Sequence, residues 1–303
     1  MPFNFSYIFN VIRNIQNNKK SIFFIKGVVL LLSFLYLGDA LIKNFHGTIN
    51  LIQQNKAHIL YFVLLSSFPF VFPLILLAFA WRIILQILEK QKLSLEVIYI
   101  YLYSSIFKYL PGNVFHYVNR QIATNKVGVK HKTLLLSNVF EASILIVIAL
   151  TFSIFILQKQ NFNSMNSSES IIVFLVVMMI LIVLYYLYRH TLVVKVFNSV
   201  VILYSFYLLS SGVLCYLLIN YILNINISFF MCISMYSIAW VGGFVIPGAP
   251  AGIGVREGIF LYVSLGVLSP SSAIIVITTL RLISTLSEIY IYVYASKKLT
   301  NYH

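Results

Sequence analysis

The chain has 303 residues, of which 60% are hydrophobic and only 9% charged. A soluble domain carries about 25% charged residues, so this composition excludes one and fits an integral membrane protein. The formal net charge of +14 comes from cations scattered over short loops, which excludes a nucleic-acid face and fits membrane orientation signals.

Met1–Lys20 lacks an apolar core, so no cleaved leader is expected. Apolar windows of about 20 residues then mark spans at Ile22–Ile42, His58–Leu88, Thr133–Leu157, Ile171–Tyr188, Val200–Leu223 and Ser271–Ala295. The second is overlong and carries Pro69 and Pro73, which predicts a kink or tilt. Cys215 and Cys232 lie in apolar segments and read as small buried hydrophobes. The Phe and Tyr load reads mostly as lipid-facing and interfacial.

Two regions do not fit simple spans: Leu93–Asn125, with "LPGN" at Leu110–Asn113, and Ser228–Leu268, with "PGAPAGIGVREG" at Pro247–Gly258. Each has a Pro-Gly break, Pro111-Gly112 and Pro247-Gly248, and an arginine nine positions after the proline, Arg120 and Arg256. Gly252 and Gly254 extend the second break. Non-helical backbone persists at membrane depth only where protein or water surrounds it.

Charge predicts the topology. With a cytoplasmic N-terminus, Arg13, Lys19, Lys20, Lys26, Arg82, Lys90, Lys92, Lys126, Lys130, Lys132, Arg189, Lys195, Lys297 and Lys298 all fall inside. Only Lys43, Lys56 and Lys159 fall outside. The first broken region must then begin and end inside, and the second outside. The expected fold is an all-α polytopic membrane domain spanning 1–303. It has six full spans, two opposed broken hairpins of re-entrant type at about 93–125 and 228–268, and an inverted-repeat character.

Seven charges fall at membrane depth: Lys108, Arg120, Arg256, Arg281, Glu141, Glu257 and Glu288. Unpaired, at roughly 2.5–3.5 kcal/mol each, they would cost on the order of 20 kcal/mol. Ordinary folds have only about 5–15 kcal/mol to spare, so these groups must pair, snorkel or line water. Thr278, Arg281, Thr285 and Glu288 share one face of the last span, readable as an ion-pair seam or as a cavity wall. Ser137, Asn138 and Glu141 form a similar patch. Lys108 reads either as a snorkelling lysine or as a headgroup ligand.

Arg120 and Arg256 are the leading candidates for a lipid phosphate, because a guanidinium offers a planar fork of donors to phosphate oxygens; the alternative is that they satisfy loop carbonyls. Glu257 is placed either to neutralise Arg256 when the site is empty or to meet a cationic group of the headgroup. The G-x-G of "GIGVREG" follows no strand, so no dinucleotide cofactor is expected. His116 and His131 lack partners at metal spacing, so no metal is expected either.

On "LPGN" with Arg120 downstream, Glu141 in the next span, and the P-G-x-x-x-G-x-G-V-x-E run from Pro247 to Glu257, the chain resembles the lysylphosphatidylglycerol synthase/flippase transmembrane family. It departs from the family's compact Pro-Gly-Gly run by carrying Ala249, Pro250 and Ala251. The resemblance implies movement of a polar-headed anionic lipid, an aminoacyl phospholipid or a polyprenyl-phosphate-linked sugar, between leaflets of a bacterial cytoplasmic membrane. It implies no catalysis by this chain, which has no soluble aminoacyl-transferase domain. The alternative reading is a membrane-embedded transferase, or a scaffold for a glycosyltransferase of envelope biosynthesis.

Overall fold

A computed structural model describes residues 35, 36, 38–110, 115–154, 192–246 and 249–300, with backbone alone at 192–197. The predicted span Ile171–Tyr188, most of Ile22–Ile42, and the tips Pro111-Gly112 and Pro247-Gly248 lie outside the described residues. What is described is all-helical, with no strand. Four stretches are long and apolar enough to cross a membrane: Phe45–Glu89, His131–Ser153, Asn198–Ile222 and Pro270–Thr300.

The first of these contains α1 (Phe45–Ser67) and α2 (Val71–Glu89). The helix therefore starts well before the expected His58, and its early turns carry Asn50, Gln53, Gln54 and Lys56. Pro69 breaks the ladder: Val71 N–H falls back to the Phe68 carbonyl and Phe72 N–H to that of Pro69. The Ser67 carbonyl freed by this shift accepts a 2.6 Å bond from Ser287 Oγ. Pro73 adds no second kink, because it sits in the first turn of α2, where N–H groups have no intrahelical partner. Lys90 closes α2 in the left-handed conformation, and Arg82 ties the following loop through the carbonyls of Leu93 and Ser94.

Each broken region folds as two short helices packed on one another. In the first, α3 (Glu96–Ser104) tightens into a 3₁₀ turn at Ser105–Tyr109, and the chain returns as α4 (Phe115–Lys126). Gly128, at φ 90°, turns it into α5 (His131–Ser153), whose first turn is tied to α2 by Lys130 N–H on Glu89 Oε1. Then α6 (Leu192–Leu217) runs into a π-helical turn at Leu218–Ile222. Asn220 stitches the next loop by exchanging two bonds with Ile227.

The second broken region is α7 (Phe229–Val245), a 3₁₀ turn at Pro250–Gly252 and α8 (Val255–Ser264). Ser228 caps α7 by accepting from Met231 N–H. The chain closes with α9 (Pro270–Thr300), about 46 Å of helix at 1.5 Å per residue. More than half of its apolar window, 56%, is buried, against 33–39% in the other three stretches. It packs on α1, α3 and α8 and is the central pillar of the bundle.

Candidate functional site

Against α9, the two 3₁₀ turns, Ser105–Tyr109 and Pro250–Gly252, pack on each other, so regions some 140 residues apart in sequence converge. Beside them lies a cavity of about 690 Å³. Its walls include both broken regions and the polar stripe of α9, with Lys108, Arg120, Arg256, Arg281, Glu141 and Glu288 all on its surface.

One face of α9 ties both regions down. Arg281 Nη1 donates to Glu257 Oε1 at 2.5 Å and its Nη2 to the Ala251 carbonyl at 3.1 Å. One turn on, Thr285 Oγ1 is 2.9 Å from Tyr109 Oη, and two turns on, Glu288 Oε1 accepts from Lys108 Nζ at 2.6 Å. The stripe is thus a seam and a cavity wall together. Thr278 does not bridge: its hydroxyl bonds back to Ile274 of its own helix. Lys108 is held by a glutamate that is 3% exposed.

The first arginine is enclosed. Arg120 is 3% exposed, and its Nη1 lies 2.6 Å from Glu141 Oε2. Glu141 Oε1 accepts from Tyr101 Oη at 2.5 Å. The guanidinium carbon sits 3.8 Å from the Tyr101 ring centre, 4.9 Å from Trp81 and 5.6 Å from Tyr117. Trp81 is fixed in turn by its Nε1–H on Ser137 Oγ. A buried cation on aromatic faces with a carboxylate partner is a pinned group.

The second arginine is different. Arg256 makes no hydrogen bond or ion pair with any described residue, and its buried Nε has no partner. The expectation that Glu257 neutralises it is corrected: Glu257 gives Oε1 to Arg281, and its Oε2 accepts the Gly254 N–H at the start of α8. Room for the Arg256 stem comes from Gly243 of α7, where an added Cβ would stand 3.0 Å from Arg256 Cβ. The chain reaches this placement through Ala251 at φ 50°, Gly252 at φ 74° and Gly254 at φ 83°. A Cβ on Gly252 would lie 2.6 Å from the Gly243 carbonyl oxygen, so glycine alone fits there.

The described charges of the cavity therefore sum to three pairs and one surplus cation, Arg256. Among the described residues, five of the nine buried side-chain polar atoms that lack a partner belong to cavity residues: His116 Nδ1, Arg120 Nε, Asn138 Oδ1, Arg256 Nε and Glu288 Oε2. Buried polar groups are normally bonded, so this concentration sets the cavity apart from the rest of the described bundle. Its α4–α5 wall is apolar and open: Val118, Leu135 and Val139 line it and are 47%, 56% and 63% exposed.

Sequence reasoning missed the aromatic members. Tyr101 belongs to the Phe and Tyr load read mostly as lipid-facing and interfacial, yet it is 6% exposed, and Trp81, which no motif singled out, is 0% exposed. Tyr117, three residues before Arg120 on the same helix, carried the one available signal, since residues at that spacing are neighbours. No protein-family model matches the chain, and no curated protein matches it.

Proposed function

We propose that the protein binds the anionic headgroup of a membrane lipid in this cavity and carries the lipid between leaflets. The observation that carries the reading is Arg256, a cation without a counter-ion among the described residues, facing a cavity between two broken helical regions. Arg256 is half-buried and its enclosed Nε has no partner among the described residues, and a phosphate oxygen pair on its fork would supply one. The exposed apolar wall at Val118, Leu135 and Val139 lets the tails remain in hydrocarbon while the headgroup enters.

An anion at Arg256 also competes with Glu288 for Lys108, loosening the first broken region from α9. In this scheme the two regions enter from opposite faces of a bacterial cytoplasmic membrane, both termini are cytoplasmic, and an envelope-biosynthesis enzyme supplies or consumes the lipid. The resemblance to the flippase family points the same way. The two cavity glutamates, Glu141 and Glu288, and Glu257 beside Arg281 are all engaged by cations, which supports binding over proton abstraction.

The test is leaflet exchange of a fluorescent anionic phospholipid in proteoliposomes. The proposal expects exchange above protein-free vesicles and a loss of about tenfold or more in Arg256→Gln, the scale of one charge-assisted bond. Wild-type exchange no faster than in empty vesicles contradicts it.

A further inference from the structure

The chain has only two cysteines, Cys215 in the last turn of α6 and Cys232 in the first turn of α7. Both are free thiols, both are 0% exposed, and their side chains interact directly. A buried residue touches about 6–12 others, so two cysteines placed at random in a chain of 303 residues would meet only about 2–4% of the time. Burial accounts for each cysteine by itself and not for their meeting.

The two helices are built to approach closely at this point. Gly212, one turn before Cys215, abuts Ile233, the residue after Cys232, and a Cβ on that glycine would stand 2.8 Å from the Ile233 Cβ. So close an approach is what a disulfide needs, since it spans Cα atoms only about 4.4–6.8 Å apart. The connection between the helices is held in register as well. Asn220 exchanges two bonds with Ile227, and Ser228 caps α7. Charge places this connection on the outer side of the membrane, where compartments are oxidising.

Resting on that orientation and independent of the lipid reading, we propose that Cys215 and Cys232 are a modification site and close to an intramolecular disulfide in the mature protein. The oxidant is a disulfide-bearing exchange partner on the outer side. The thiolate of one cysteine attacks the partner's S–S bond and forms a mixed disulfide, and the other cysteine then displaces the partner. The two cysteines give up two protons and two electrons, and the partner leaves as two thiols. Because both sulfurs are enclosed in the packed bundle, the exchange takes place while the α6–α7 hairpin is closing, and the finished bond is shielded from reductants. It anchors the first arm of the second broken region to α6.

The test is thiol counting on the full chain, extracted from the membrane under acid to stop exchange. The probe is a maleimide-polyethylene glycol, added in denaturant, which shifts the gel band once for each free thiol. Wild type should take no label before reduction and two after it, while running as a monomer. Two labels before reduction overturn the proposal, and so does a reducible dimer, which would make the bond intermolecular. Cys232→Ala, counted in the same denaturant so that folding is irrelevant, should take one label before reduction. No label on that variant would mean that another group blocks Cys215, and the pairing would be wrong. In thermal unfolding, Cys215→Ala, Cys232→Ala and the double variant should each lose about the same 3–6 °C, because each removes the same bond. Losses that add in the double variant would make the two cysteines independent packing residues and contradict the proposal.

Discussion

The two broken regions carry the same sequence device and use it oppositely. Each is a Pro-Gly break followed nine residues later by an arginine, yet Arg120 is boxed by Tyr101, Trp81 and Tyr117 and paired to Glu141, while Arg256 is unpaired. The second region could have neutralised its arginine with the adjacent Glu257, but that carboxylate is drawn away by Arg281 and the α8 terminus. The lesson is that the partner, not the arginine, decides the role. A cation with a buried carboxylate holds the fold together, and a cation whose carboxylate is spent elsewhere is left for a ligand.

The comparison breaks most severely if the enclosed pair is opened. Glu141→Ala strands Arg120 in its aromatic box and should destabilise the protein by about 3–5 kcal/mol, read as a large drop in thermal unfolding temperature in detergent. A change below 1 kcal/mol would mean that Arg120 is not pinned. Gly252→Ala attacks the other side, forcing a Cβ against the Gly243 carbonyl at φ 74°. It should cost about 1–3 kcal/mol and weaken lipid retention, because the path that delivers Arg256 shifts. Tyr101→Phe removes one bond to Glu141 and keeps the ring under Arg120, so a loss of about 1.5–3 kcal/mol is expected, with lipid selectivity unaltered. Smallest of all is the stability effect of Arg256→Gln, within about 0.5 kcal/mol of wild type, because no contact with a described residue is lost.

Much of this frame was legible. The broken regions, the polar face of the last helix and the need for the charges to pair all follow from apolar windows interrupted by Pro-Gly and from the cost of charge in hydrocarbon. What was not legible is which charge pairs with which. Lys108 and Glu288 are 180 residues apart, and Trp81 reaches Ser137 across 56, so only packing brings them together. The expected break falls at only one of the two prolines, for a local reason: Pro73 looks like Pro69 in sequence, but a proline in a first turn displaces no hydrogen bond. The arginines looked equivalent because their difference lies on α2, α3, α5 and α9, outside the two Pro-Gly breaks.

The most direct test of the contrast is one paired measurement on Arg256→Gln: unfolding temperature, and mass spectrometry of the lipids that stay bound through purification. The account predicts an unfolding temperature close to wild type together with loss of an anionic lipid that wild type retains. An anionic lipid kept at wild-type levels, or a variant that fails to fold, would make Arg256 a second structural arginine and contradict the account.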